Sequence, residues 1–104
     1  MEWENVIFNE PTMSVSGNYI YFNAVFRDII GDEKGMDFFF ADDNGKKILS
    51  CKPGSQFRFS KKKNECRIIC KELADYILSV YDCKPGHFKL VLHGEYYILV
   101  PDKI

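Results

Sequence analysis

The chain has 104 residues, a formal net charge of −1, 46% hydrophobic and 28% charged residues. That length supports one core rather than two domains, and the apolar fraction excludes a disordered chain. No apolar run approaches the about 20 residues that cross a bilayer as a helix, and Glu2 and Glu4 stand where a secretory leader needs bases. The expectation is a cytoplasmic protein with no membrane contact.

Residues 1–12 read as an N-terminal edge strand or arm, with Trp3, Val6, Ile7 and Phe8 ahead of Glu10-Pro11. A short strand at 12–16 and a Gly17-Asn18 turn follow. Residues 18–22 alternate and are rich in aromatic and β-branched side chains, the pattern of a half-buried strand. Asn23 is placed to cap a helix start. Val25, Phe26, Ile29 and Ile30 then recur as one apolar helical face, and Gly31 stands where a left-handed residue ends it. Residues 36–41 form an apolar strand. Asn44-Gly45 predicts a tight hairpin turn into a strand at 47–51, because both turn positions favour positive φ. Pro53-Gly54 closes the unit.

The second half repeats this order. Residues 56–60 alternate as a strand, Phe57 and Phe59 on one face and Gln56 and Arg58 on the other. Lys61, Lys62, Lys63 and Asn64 read as a basic turn, and 65–69 as a strand. Leu73, Ala74, Ile77, Leu78 and Tyr81 mark the inward face of a helix over 70–81. A strand at 87–92, a His93-Gly94 turn and a strand at 95–100 complete the chain, with Pro101 stopping it. Aligning the halves sets 22–26 over 69–73, Gly35 over Gly86 and Gly45 over Gly94. Few identities support the repeat, so it is a match of pattern.

The first unit resembles the AbrB/MraZ superfamily of swapped-hairpin DNA-binding domains. The residues that carry the resemblance are Gly17, Ile20, Phe22, Phe26-Arg27, Gly31, Gly35-Met36-Asp37, Asn44-Gly45 and Lys52-Pro53. Two positions depart from the family pattern: Asn23 stands where proline follows the first strand, and Ser16 and Asn18, not basic residues, flank Gly17. The resemblance implies a mainly β fold with two short helices (an α+β chain), built as a swapped-hairpin barrel. Residues 13–53 and 55–101 would be its two halves, forming an intramolecular pseudo-dimer in a single domain, 1–104. A lone hairpin and helix cannot cover their own apolar faces, which gives such an exchange its physical reason.

Charge is segregated along the chain. Residues 1–45 carry nine acids against Arg27 and Lys34; residues 46–71 carry nine bases against Glu65. An anionic partner needs such a basic tract, because phosphate contacts dominate nucleic-acid affinity. By the resemblance, Lys61, Lys62, Lys63 and Arg67 occupy the DNA-contacting turn and strand of the second half. Arg67 would read bases through its planar fork; Lys71 and Arg58 add phosphate contacts. The first half offers only Ser16, Gly17, Asn18 and Tyr19 there, so double-stranded DNA would meet one face, or symmetry would return through a homodimer. Two other readings stay open. In one, the lysines simply solvate a hairpin or pair with the acidic first half. Alternatively the chain is a protein-interaction module, such as a phage or mobile-element accessory protein that inhibits a host factor.

Other chemistries find little footing. Cys51, Cys66, Cys70 and Cys83 form no C-x-x-C pair and read as free, mostly buried thiols. His87 and His93 fall on one predicted strand, roughly 20 Å apart. The 42–45 stretch lacks the later ligands of a calcium loop. No catalytic residue, metal or cofactor is expected.

Overall fold

The computed structural model describes residues 10–60 and 66–102. Most of the expected N-terminal arm, with Trp3, and the run Lys61, Lys62, Lys63 lie outside the described residues. The elements are β1 (Thr12–Val15), β2 (Tyr19–Phe22), α1 (Ala24–Ile30), β3 (Gly35–Asp43), β4 (Lys46–Pro53), β5 (Phe57–Arg58), β6 (Cys66–Ile69), α2 (Lys71–Tyr81), β7 (Gly86–His93) and β8 (Tyr96–Pro101). All eight strands join one antiparallel sheet in the order β5-β3-β4-β8-β7-β1-β2-β6. The Ser60 N–H donates to the Arg67 carbonyl at 2.6 Å, so the two edge strands meet and the barrel nearly closes. The fold is mainly β with two helices, as the sequence implies.

The pairing scheme has an internal regularity. Exchanging β1–β4 with β5–β8 carries six of the seven strand pairings onto pairings; the seventh, β1·β2, goes over to β5·β6, which are joined among the described residues through the Ser60–Arg67 hydrogen bond and not by a ladder. The β3·β4 hairpin goes over into β7·β8, β1·β7 into β5·β3, and β2·β6 and β4·β8 into themselves. The exchange is not residue for residue: β1·β7 spans four pairs, whereas β3·β5 spans two. The predicted strand at 56–60 is thus cut to Phe57–Arg58.

Local signals set the ends of the elements. The Asn23 carboxamide oxygen accepts from the Phe26 N–H at 3.0 Å, and its NH2 group donates to the Glu10 carbonyl at 2.8 Å. Asn23 therefore caps α1 and ties its start to the chain before β1. Gly31, at φ +62°, ends the helix and donates its N–H to the Arg27 carbonyl. The expected four-residue apolar face of α1 is narrower in the fold. Only Phe26 and Ile30 are buried, and Ile29 is 50% exposed. Two turns of helix present too little arc to seat all four. Phe26 compensates by stacking on Phe22 (5.0 Å) and meeting Tyr97 edge-on (4.9 Å).

Asn44 (φ +53°) and Gly45 (φ +84°) form the β3–β4 turn with both residues left-handed, as type I′ demands. The β7–β8 turn is Gly94-Glu95, one residue later than predicted, because β7 runs through His93. Gly94 takes positive φ at the first turn position, so its structural counterpart is Asn44, not Gly45.

The halves join across β4 and β8, where only Ser50↔Ile98 and Cys51↔Tyr97 are in register. One step on, Leu49 would face Leu99. The Tyr81 hydroxyl sits there instead, accepting from the Leu49 N–H at 3.0 Å and donating to the Leu99 carbonyl at 2.6 Å. The end of α2 thus supplies a missing rung of the sheet. Burial and the Cys83 side chain raise the Tyr81 pKa, burial being the larger cause, against a lowering by the Leu49 backbone. The core beneath is one cluster drawn from every strand but β5, and from both helices. All four cysteines are free thiols; burial pushes Cys51 up to about 12, and raises Cys66 against the opposing charge of Arg27.

Candidate nucleic-acid interface

The six sequence-predicted residues divide by position. Arg58 and Arg67 lie on β5 and β6, the strands that meet at the Ser60–Arg67 hydrogen bond. Phe57 packs against the core and Arg58 is exposed; Cys66 and Ile68 are buried, and Arg67 between them takes the opposite face. Alternation along each strand therefore puts both arginines on the outer face of the seam, Arg58 exposed and Arg67 half-buried with its Nε enclosed. Lys61, Lys62 and Lys63 belong to the segment between Ser60 and Cys66, outside the described residues.

Arg67 stands opposite Tyr21 in the β2·β6 ladder, and its guanidinium carbon lies 5.3 Å from the centre of the Tyr19 ring. A cation over an aromatic face gains about 0.5–1 kcal/mol at an exposed site, enough to bias its direction. Tyr19 escapes a sequence reading, because the β2·β6 pairing spans about half the chain. Lys71 opens α2 and forms an exposed pair with Asp75 at 2.9 Å. The hydrogen bond to Asp75 raises the Lys71 pKa. Such exposed helical pairs contribute little to stability, and phosphate can displace the carboxylate.

The charge segregation seen along the chain is undone by the β3·β4 hairpin. Its register sets Asp42 against Lys47, Asp43 against Lys46 and Asp37 against Lys52. Three of the nine bases are thereby placed beside the acids of the first half. Lys52 goes further: its ammonium meets Glu95 at 3.1 Å and lies near the rings of Tyr96 (5.0 Å) and Phe39 (5.5 Å). The Glu95 hydrogen bond raises its pKa. The β5–β6 seam carries Arg58 and Arg67, on the strands before and after the segment that holds three lysines. The β1–β2 turn, its counterpart under the exchange of halves, contains Ser16, Gly17 and Asn18 and no charge.

A second feature lies on the other side of β5. A groove of about 410 Å³ runs between β3 and α2, walled by Phe38, Phe40, Phe57, Leu73, Tyr76 and Ile77. His87 and His93 are both exposed on β7, and no cluster of three metal-ligating side chains occurs among the described residues. No helix among them is long and apolar enough to cross a membrane. In comparisons with known proteins, no family model, curated protein or solved structure matches the chain.

Proposed function

We propose that the chain is a swapped-hairpin barrel of the AbrB/MraZ type, its two halves fused in one polypeptide, and that it binds duplex DNA through the β5–β6 seam. That six of the seven strand pairings survive exchange of the halves supports the architecture. The observation that carries the DNA reading is the outward placement of Arg58 and Arg67 on the strands flanking residues 61–65. Arg67, held against Tyr19, presents a planar fork suited to a base edge; Arg58 and the lysines grip phosphates. The uncharged β1–β2 turn makes this a one-faced grip, so a single chain covers one half-site and a two-fold site takes two chains.

The test is a mobility shift with random-sequence duplex between about 50 and 200 mM salt, where each phosphate contact contributes roughly −0.9 to the log–log slope. Replacing Lys61, Lys62 and Lys63 with glutamate abolishes retention and flattens the slope. Arg67→Lys weakens preference among sequences more than it weakens overall binding. Retention unchanged by the triple substitution rejects the assignment.

A further inference from the structure

We infer that the groove between β3 and α2 is a binding site for a small organic cation, a quaternary ammonium compound held among aromatic rings. The inference stands apart from the DNA reading, and none of the residues of that reading lines the groove. Its volume, about 410 Å³, falls within the roughly 300–1,000 Å³ of small-molecule clefts.

Aromatic rings dominate the lining. Phe38 and Phe57 meet nearly at right angles, 78° at 5.8 Å, so they make a corner rather than a stack. The corner is fixed in place. The Gln56 side-chain oxygen accepts the Phe38 N–H at 3.0 Å, and the Gln56 N–H donates to the Asp37 carboxylate at 2.7 Å, which ties the approach to β5 onto β3. Across the groove, Leu73 and Ile77 are buried and seat α2, while Tyr76 is 41% exposed. Aromatic rings are negative on their faces and attract a cation placed over them. Two rings at the groove already do so: Phe40 takes the Lys47 ammonium at 4.8 Å and Phe39 takes that of Lys52 at 5.5 Å. Phe38, Phe57 and Tyr76 hold no cation among the described residues.

Charge points the same way once the pairs around the groove are cancelled. Lys47 stands opposite Asp42 in the β3·β4 ladder, Lys52 meets Glu95, and Lys71 pairs with Asp75 on α2. Arg58 lies on the face of β5 away from Phe57. Glu72 is the only charged side chain in the lining, and it enters no ion pair among the described residues. It precedes Tyr76 by four residues, so carboxylate and ring share one face of α2. An anion at the rim, with rings, Leu73 and Ile77 within, suits a cation whose charge is spread over methyl groups. A primary ammonium would give up hydrogen bonds to water that this lining does not return.

The experiment titrates the full chain with choline and, separately, with its neutral isostere, in which tert-butyl replaces trimethylammonium, following the ring resonances of Phe38, Phe57 and Tyr76. The expected result is saturation by choline in the millimolar range, with the isostere bound about tenfold or more weakly. Glu72→Gln and Tyr76→Leu, both at exposed positions, each weaken choline binding about threefold or more, and Glu72→Gln leaves the isostere's binding unchanged. An isostere bound as tightly as choline, or no saturable shift at these rings, overturns the proposal. So does a choline affinity that both substitutions leave intact. The comparison of choline with its isostere is read on the unmodified chain, so it does not depend on how either variant folds.

Discussion

Tyr81→Phe tests whether a side chain holds the two halves together. The substitution keeps the ring, which contacts Phe88 at 5.5 Å, and removes only the hydroxyl. Two hydrogen bonds go with it, the 3.0 Å bond from the Leu49 N–H and the 2.6 Å bond to the Leu99 carbonyl. Leu49 and Leu99 are buried, at 2% and 1% exposure, so water does not readily replace the missing partner. A buried backbone group left unsatisfied costs about 1–3 kcal/mol. Two such groups set an upper range of about 6 kcal/mol, and relaxation of β4 toward β8 recovers part of it, leaving roughly 2–3 kcal/mol. For a domain of this size that lowers the melting midpoint by about 8–20 °C. Urea unfolding followed by tyrosine fluorescence and far-UV circular dichroism measures it. Hydrogen exchange of the Leu49 amide should accelerate by a larger factor than exchange in β1 or β2. A Tyr81→Phe variant as stable as the parent, with the Leu49 amide equally protected, would refute the role assigned to this hydroxyl.

Two further outcomes follow from close packing and burial. A Cβ at Gly35 would run into the Phe57 carbonyl oxygen, so Gly35→Ala should detach β5 from β3 and cost on the order of 2 kcal/mol or more, read as a lower urea midpoint. Gly17→Ala, where a Cβ meets nothing within 4 Å, is its neutral control. Cys51 predicts an alkaline weakness. Its folded pKa, about 12, lies above the ordinary 9.0, so the thiol's contribution is fully present below pH 9 and is lost as pH rises toward 12. Stability measured from pH 8 upward should therefore fall, and fall less in Cys51→Ala once its lower baseline is subtracted; parallel curves would reject burial as the cause.

The parts of the fold legible in the sequence are those decided within a few residues. Asn44-Gly45 specifies its turn because only a few residue types accept two successive positive φ values. Asn23 and Gly31 mark the ends of α1 for similarly local reasons. The inward face of α2 is legible through Leu73, Ala74 and Ile77. Features that depend on distant pairing are hidden. Ile29 fits the apolar period of α1, but nothing in its neighbourhood tells that the barrel wall ends before reaching it. The β7–β8 turn slipped by one because His93 and Glu95 carry no strong turn preference, leaving Gly94 to serve either position. The charge tracts misled most. Counted along the chain they separate, yet a two-residue turn folds Lys46 and Lys47 back onto Asp43 and Asp42. Of the candidate interface, the sequence indicates the basic residues but not Tyr19 beneath Arg67, since register across the β2·β6 ladder has no local signature.

The crossed strand order also constrains how the molecule comes into being. β1, at the front of the chain, finds its outer neighbour in β7, and β4 waits for β8. The early hairpin and helix have Phe22, Phe26 and Leu49 ready but no wall to set them against until β7 and β8 are available. Closure of the barrel must then wait for β7 and β8, and pairings this distant in sequence make it slow for a fold of this size.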